Sequence, residues 1–233
     1  MNKRHAHIIA YHGWGLTDSF WKKWNELLSN NIQFEAVSRG YTGKRIYADF
    51  NEDVTVKKIV FVHSFGLHWC PQHILSQTDH LVIFGGFLDF HPDSDTERKR
   101  SRFIVQQMLS RFVEKPDEVL KKFLKNTFWP DEPDEQLLNV DIDHEKLLED
   151  LSAIQNEVQP QQILHEIPEI SIVHGEDDKI VSNEKARSLY QSLRYRSQYF
   201  EIKQAGHALP YTHAKECYSL LKPIIEPEYF LNQ

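Results

Sequence analysis

A serine at position 64, an aspartate at 178 and a histidine at 207 are the residue types that build an activated hydroxyl nucleophile. A serine hydroxyl is a weak nucleophile near neutral pH. Histidine titrates in the range that lets it take the proton, and a carboxylate can hold that histidine in one orientation. Each of the three follows a short run expected to be a strand. Ile59–Val62 stops at His63-Ser64, with Gly66 two residues after the serine. Ile170–Val173 leads into His174-Gly175-Glu176-Asp177-Asp178, and Gln198–Ile202 is followed by Gly206-His207-Ala208. A buried strand that ends on a serine, turns tightly and enters a helix exposes Oγ and sets helix N–H groups beneath it.

Other assignments remain open at each position. The usual form of such a turn has glycine two residues before the serine, where this chain has Val62. A β-branched residue there is expected to crowd the strained backbone. Asp178 stands three residues past Gly175, with Ile180-Val181 behind it to pack the loop down. Asp177 is the alternative acid, and a carboxylate in such a loop also serves as a helix cap or a solvated turn residue. His207 is preferred over His63, His68 and His213 because it occupies the turn directly after the last strand. Acyl transfer further needs two donors for a developing oxyanion. The N–H of Phe65, next to the serine, is one candidate. His12-Gly13-Trp14-Gly15, closing the first apolar run, offers the N–H of Trp14 as the other, and a plain strand-to-helix turn is its simpler reading.

The elements that must carry these residues alternate. Strand runs are expected at Ala6–Tyr11, Ile32–Val37, Ile59–Val62, Leu81–Phe84, Ile170–Val173 and Gln198–Ile202. Between them, Leu16–Ser29 reads as a helix capped by Thr17, Asp18 or Ser19. Leu67–Leu75 reads as a helix either bent at Pro71 or regular only from near Cys70. Ser182–Leu193 and a closing helix from Ala214 to Leu221 complete the alternation, with Ser182 or Asn183 as cap. The pattern predicts an α/β fold with a mainly parallel sheet of about six strands and a site at the strand carboxyl ends. Residues 91–165 break it, with helices expected at Arg102–Val113, Glu118–Phe128 and His144–Glu157 among Pro92, Pro116, Pro130 and Pro133. This is read as an inserted helical lid on a core of residues 1–90 and 166–233. Its charge is lopsided: Arg98–Lys125 holds nine basic and three acidic residues, and Asp131–Glu157 holds ten acidic and one basic.

A length of 233 residues suits one domain with an insertion. A net charge of −7 weighs against nucleic acid as a partner. Two cysteines, Cys70 and Cys217, give no disulfide framework. The start runs directly into a strand without a leader pattern, and no apolar run reaches membrane-span length, so no membrane partner and a cytoplasmic location are expected. No histidine spacing such as His-Glu-x-x-His occurs, and neither metal nor cofactor is expected.

Three stretches together, His12-Gly13-Trp14-Gly15, Val62-His63-Ser64-Phe65-Gly66, and His174–Asp178 with Gly206-His207, resemble the α/β-hydrolase superfamily. The resemblance implies Ser64 as nucleophile, Asp178 as acid, His207 as base, and the amides of Trp14 and Phe65 as the oxyanion hole. The early His12-Gly13-Trp14-Gly15-Leu16, the short N-terminus, the size of the lid and the segment His207–His213 are most similar to the pimeloyl-ACP methyl ester carboxylesterases of biotin synthesis. That implies a small acyl ester substrate and an acyl carrier protein held by basic lid residues, led here by Arg98, Arg100, Arg102 and Arg111. A solvated helix face is the simpler reading of those four. An acyl thioesterase or lyase on the same scaffold, and a catalytically silent binding protein, are the alternatives.

Overall fold

A computed structural model describes residues 5–51, 53, 55–134 and 142–226. Residues 1–4 and 227–233, assigned above to the ends of the core, and 135–141 of the insertion lie outside the described residues. Six strands, β1 (Ala6–Tyr11), β2 (Ile32–Val37), β3 (Lys57–His63), β4 (His80–Phe84), β5 (Glu169–Gly175) and β6 (Ser197–Ile202), form one sheet in the order β2-β1-β3-β4-β5-β6. Every pairing is parallel. The reason is in the side chains. Ile8-Ile9-Ala10, Ile59–Val62 and Leu81–Phe84 are apolar at successive positions and fully buried. Strands of that kind need cover on both faces, as crossover helices provide.

The chain runs from β1 to the edge strand β2 and then returns to lay β3 on the other side of β1. The direction of winding reverses between β1 and β3, and such a switch opens a crevice at the carboxyl ends of the two strands. Tyr11 pairs with Val62, so His12-Gly13 emerges beside His63-Ser64.

The helix expected over Leu16–Ser29 is two separate turns, Asp18–Trp21 and Trp24–Leu27. Phe20 and Trp21 are sequence neighbours and both fully buried, as is Trp24. One helix stripe does not bury adjacent positions equally well. The break lets both indoles reach Phe84, at ring-centroid distances of 5.8 Å each, and Trp24 lies 4.9 Å from Phe61. Of the expected caps, Thr17 occupies the cap position without a capping hydrogen bond. The helix expected over Leu67–Leu75 is likewise two turns, Gly66–Trp69 and Gln72–Leu75. Pro71 sits between them in extended conformation, because it has no N–H to continue the first turn.

Between β4 and β5 the chain inserts three helices, α1 (Asp95–Glu114), α2 (Pro116–Phe128) and α3 (His144–Asn156). Helix α1 starts seven residues before the expected Arg102. The signal is a capping box: Ser94 Oγ accepts from the Glu97 N–H, with Asp95 and Glu97 in the first turn. Pro116 opens α2, where a missing N–H costs nothing, and Asp143 caps α3. Helices α4 (Asn183–Leu193), capped by Ser182 as expected, and α5 (Ala214–Ile225) follow β5 and β6. Cys70 and Cys217 are buried free thiols.

Candidate active site

Ser64 follows β3 directly and has φ of 54°, in the left-handed region that a non-glycine residue rarely occupies. Its N–H donates to the Phe84 carbonyl at 3.0 Å, which ties the turn to β4. Two glycines make room for it. A Cβ on Gly13 would lie 2.8 Å from Ser64 Cβ, and one on Gly66 would lie 2.5 Å from the Tyr11 carbonyl oxygen. Val62 does not prevent the turn: its side chain is fully buried within β3, between Tyr11 and Ile83 in register. The helix after the serine is a single turn, so the expected bed of helix N–H groups is reduced to the first few amides.

Asp178 and His207 come together from loops 29 residues apart, with His207 Nδ1 2.7 Å from Asp178 Oδ2. The carboxylate is shaped on its other side as well. Its Oδ1 accepts the N–H of Ile180 at 2.7 Å and of Val181 at 2.9 Å. Burial pushes the Asp178 pKa up, but the charge of His207, its hydrogen bond, and the contributions of His174 and the Val181 N–H outweigh it. The net shift is downward, so the group is an anion at neutral pH. A carboxylate oxygen can only accept there, so His207 Nδ1 is the donor and Nε2 is the ring nitrogen turned away from Asp178. Among the described residues that buried Nε2 has no hydrogen-bond partner. Asp177, the other candidate acid, is exposed, and its N–H donates to Ala205.

Two histidines that sequence reasoning did not assign flank this pair. His63 Nε2 donates to the His207 carbonyl at 2.9 Å, and the two rings are 4.8 Å apart. His63 immediately precedes Ser64, so this bond ties the serine turn to the histidine turn. His174 Nε2 donates to Val181 O at 3.1 Å and lies 3.6 Å from Asp178 Oδ2. Burial pushes both rings toward the neutral form. His68 is held at the Phe87 carbonyl, and His213 bonds Thr212. The signal for His63 and His174 was their position at the last residues of β3 and β5; no local pattern gives their partners.

The amides of Trp14 and Phe65 both lie in turns at the switch point. Among the described residues neither N–H donates to a backbone carbonyl. The Trp14 ring is buried, and its Nε1 donates to Leu147 O of α3 at 2.7 Å.

Comparison of the sequence with family models and with curated proteins returns no match. Solved structures do match. An esterase from Exiguobacterium antarcticum superposes with a TM-score of 0.76 at 15% identity, covering 96% of this chain and 92% of that one. A bromoperoxidase from Bacillus anthracis gives 0.73 at 18% identity over 94% and 91%, and a thermophilic esterase from Thermogutta terrifontis gives 0.70 at 12% identity over 96% and 90%. The chain has the α/β-hydrolase fold. Ser64 follows β3, Asp178 follows β5 and His207 follows β6, all at the carboxyl edge of the sheet.

In this α/β-hydrolase fold the helical insertion is bonded to both sides of the site. Ala208, beside His207, donates its N–H to Thr127 O of α2 at 2.8 Å, while Trp14 is held by α3. Ser64 is 4% exposed and His207 fully buried. A groove of about 1480 Å³ runs along the insertion between α1, α2 and the start of α4, with Phe103, Ile104, Met108, Phe123 and Ile180 in its wall. Ser64 and His207 do not line it, but Phe123 does, and its ring lies 4.8 Å from that of Trp14. Of the four arginines singled out, Arg98 is engaged by Asp89 and Arg111 by Glu118. Arg100 is exposed on the groove and Arg102 half-buried. Among the described residues no ion pair engages Lys99, Arg100, Lys121, Lys122 or Lys125. No group of histidine, cysteine and carboxylate side chains able to hold a metal occurs among the described residues, and no described helix is long and apolar enough to cross a membrane.

Proposed function

We propose that the protein is a serine hydrolase that cleaves a carboxylic ester through an acyl-enzyme. One observation carries this reading: buried Asp178 holds His207 through Nδ1 and leaves its Nε2 unpartnered, while His63, bonded to the His207 carbonyl, ties that turn to Ser64 in left-handed conformation at the end of β3. In the proposed reaction His207 Nε2 takes the Ser64 proton as Oγ bonds to the substrate carbonyl carbon. The carbonyl oxygen becomes an oxyanion between the amides of Trp14 and Phe65. The tetrahedral adduct collapses, the bond to the leaving alkoxide breaks, and the proton on Nε2 goes to that oxygen. Water then attacks the acyl-enzyme with the roles repeated, returning Ser64 and releasing the acid. These steps require neither metal nor cofactor.

The insertion acts as a lid in this reading, since its helices bond the turns of Trp14 and of His207 and the serine is almost fully buried. The apolar part of the groove wall, Phe103, Ile104, Met108, Phe123 and Ile180, supports an acyl chain as the substrate's long part. A pimeloyl methyl ester on an acyl carrier protein, in the cytoplasm, is the finer form of the proposal. It rests on the motif resemblance and on the free cations Lys99, Arg100, Lys121, Lys122 and Lys125, which suit an acidic partner.

The test is labelling by a fluorophosphonate, which requires an activated serine. Wild type should label, and Ser64→Ala and His207→Ala should not. A folded wild type that stays unlabelled would overturn the reading. Turnover of short p-nitrophenyl esters without turnover of a pimeloyl carrier-protein methyl ester would remove the finer form alone.

A further inference from the structure

A buried polar cluster behind the turn after β1 has no part in the steps above. Asp150, on α3, is 3% exposed. Its Oδ1 accepts from Arg39 Nη2 at 2.7 Å, and its Oδ2 accepts from Arg39 Nε at 2.8 Å and from the Tyr41 hydroxyl at 2.7 Å. Arg39 and Tyr41 follow β2, so the contact joins the insertion to the core across 111 and 109 residues of sequence. The Arg39 backbone N–H donates to His12 Nε2 at 3.1 Å. A ring nitrogen that accepts carries no proton, so neutral His12 is protonated on Nδ1. That Nδ1 lies 2.9 Å from the Gly13 carbonyl oxygen and donates to it. Burial, only partly offset by the Gly13 bond and the Asp150 charge, pushes the His12 pKa down to about 4, so the ring is neutral at pH 7.

The Gly13 carbonyl and the Trp14 N–H belong to one planar trans peptide and point in opposite directions. Holding the carbonyl toward His12 therefore aims the Trp14 N–H the other way. Helix α3 grips the same residue a second time, through the bond from Trp14 Nε1 to Leu147 O. We propose that Asp150 and Arg39 are positioning residues, which fix the Gly13–Trp14 peptide through His12 and so couple the seating of α3 to the aim of an oxyanion donor. The inference rests on the serine-hydrolase reading above. A buried ion pair is weak evidence for a stabilising role, because desolvation offsets most of its attraction. Holding a donor in place gives a buried, bidentate pair at this position a use that stability does not.

The experiment uses the full chain with Asp150→Asn and Arg39→Lys, assayed on p-nitrophenyl butyrate. Rates are normalised to serine titrated with a fluorophosphonate. A trifluoromethyl ketone, which forms a charged tetrahedral adduct, serves as inhibitor. Misaiming one donor should lower kcat per titrated serine about tenfold in Asp150→Asn, less than outright loss of such a donor. KM should stay within about twofold, and the inhibition constant of the ketone should rise by the same factor as kcat falls. Arg39→Lys keeps the charge without the fork and should fall between. A loss confined to the titrated fraction, with kcat and ketone affinity per serine unchanged, would overturn the inference and leave a folding role. Should Asp150→Asn fail to fold, Tyr41→Phe removes one bond to Oδ2 and leaves the ion pair; it should shift kcat and ketone affinity in the same direction, about threefold, and no shift overturns the inference. An unlabelled wild type would take down the hydrolase reading together with this inference, whereas a labelled wild type with unaltered variants would take down the inference alone.

Discussion

Replacing Asp178 by asparagine changes one atom's chemistry at the centre of the site. The side chain has two distinct oxygens. Oδ1 accepts two backbone N–H groups, from Ile180 and Val181, and Oδ2 accepts from His207 Nδ1. An asparagine must keep its carbonyl on the side of the two backbone donors, because an amide nitrogen there would face N–H groups it cannot bond. Its NH₂ then replaces Oδ2 and faces His207. The imidazole can meet a donor only by carrying its proton on Nε2, and in that tautomer it cannot take the Ser64 proton. The geometry is kept and the base is lost, which in a triad is worth about 10⁴-fold in kcat, or about 5.4 kcal/mol of transition-state stabilisation. Initial rates on p-nitrophenyl butyrate, with the fluorophosphonate labelling rate as a second readout, give the comparison. KM should move by less than about twofold, since Asp178 touches no substrate. Asp177→Asn is the internal control, as that side chain is exposed and its backbone alone bonds the neighbouring turn. A loss under about tenfold in Asp178→Asn, or an equal loss in Asp177→Asn, would refute the tautomer argument.

Three further outcomes are expected. The pKa values of His12 and His68 are pushed down to about 4 by burial. An unfolded histidine binds its proton near pH 6.5, so their contribution is complete above about that pH and is lost as pH falls toward 4, at about 2.7 kcal/mol per pH unit for the two. Urea unfolding midpoints at pH 7.5, 5.5 and 4.5 measure it, and a flat profile would contradict the buried neutral rings. Ser64→Gly relieves a left-handed backbone that costs about 1–2 kcal/mol, and the extra freedom of unfolded glycine returns part of that. It should therefore melt higher than Ser64→Ala, by a margin of about 0.5–1 kcal/mol, with neither variant labelled; the reverse order in calorimetry would argue against strain at the turn. Val62→Gly restores the glycine that such turns usually carry but empties a fully buried position, which should cost about 2–4 kcal/mol of stability with kcat within about twofold. A large gain in kcat would mean that Val62 does crowd the serine.

The strands were legible to within two residues: the central ones carry contiguous apolar runs, the mark that a parallel sheet covered on both faces leaves, and the edge strands Ile32–Val37 and Ser197–Ile202 mix apolar and polar residues. The helices were less so. Helix α1 carries no strong apolar stripe, with only Val105 and Phe112 buried, and the reading by periodicity began it at Arg102; the local cap Ser94-x-x-Glu97 was the better guide. The continuous helix expected over Leu16–Ser29 failed for the opposite reason. Phe20, Trp21 and Trp24 are all core residues, and their packing against Phe61 and Phe84, far along the chain, overrides the local preference for one helix. Pro71 was visible as a breaker, but whether it bent, opened or divided a helix depended on the chain path beyond it.

The candidate site divides along the same line. Ser64, Asp178 and His207 each stand at the end of a strand run, and parallel strands deliver their carboxyl ends to one edge, so the three could be placed together from order alone. What surrounds them could not. The bond from His63 to His207 spans 144 residues, Trp14 to Leu147 spans 133 and Arg39 to Asp150 spans 111. The first joins two strand-end turns of the sheet, and the other two join a strand-end turn to helix α3 of the insertion. Nothing in Asp150's neighbours marks it off from the other acids of Asp131–Glu157; in a charge count it is one of ten. Burial and a bidentate partner separate it from the other described acids of that stretch. Residues that aim a site are therefore harder to read than residues that react in it, since reactivity constrains the residue's type and local turn, whereas aim constrains only where a distant partner comes to rest.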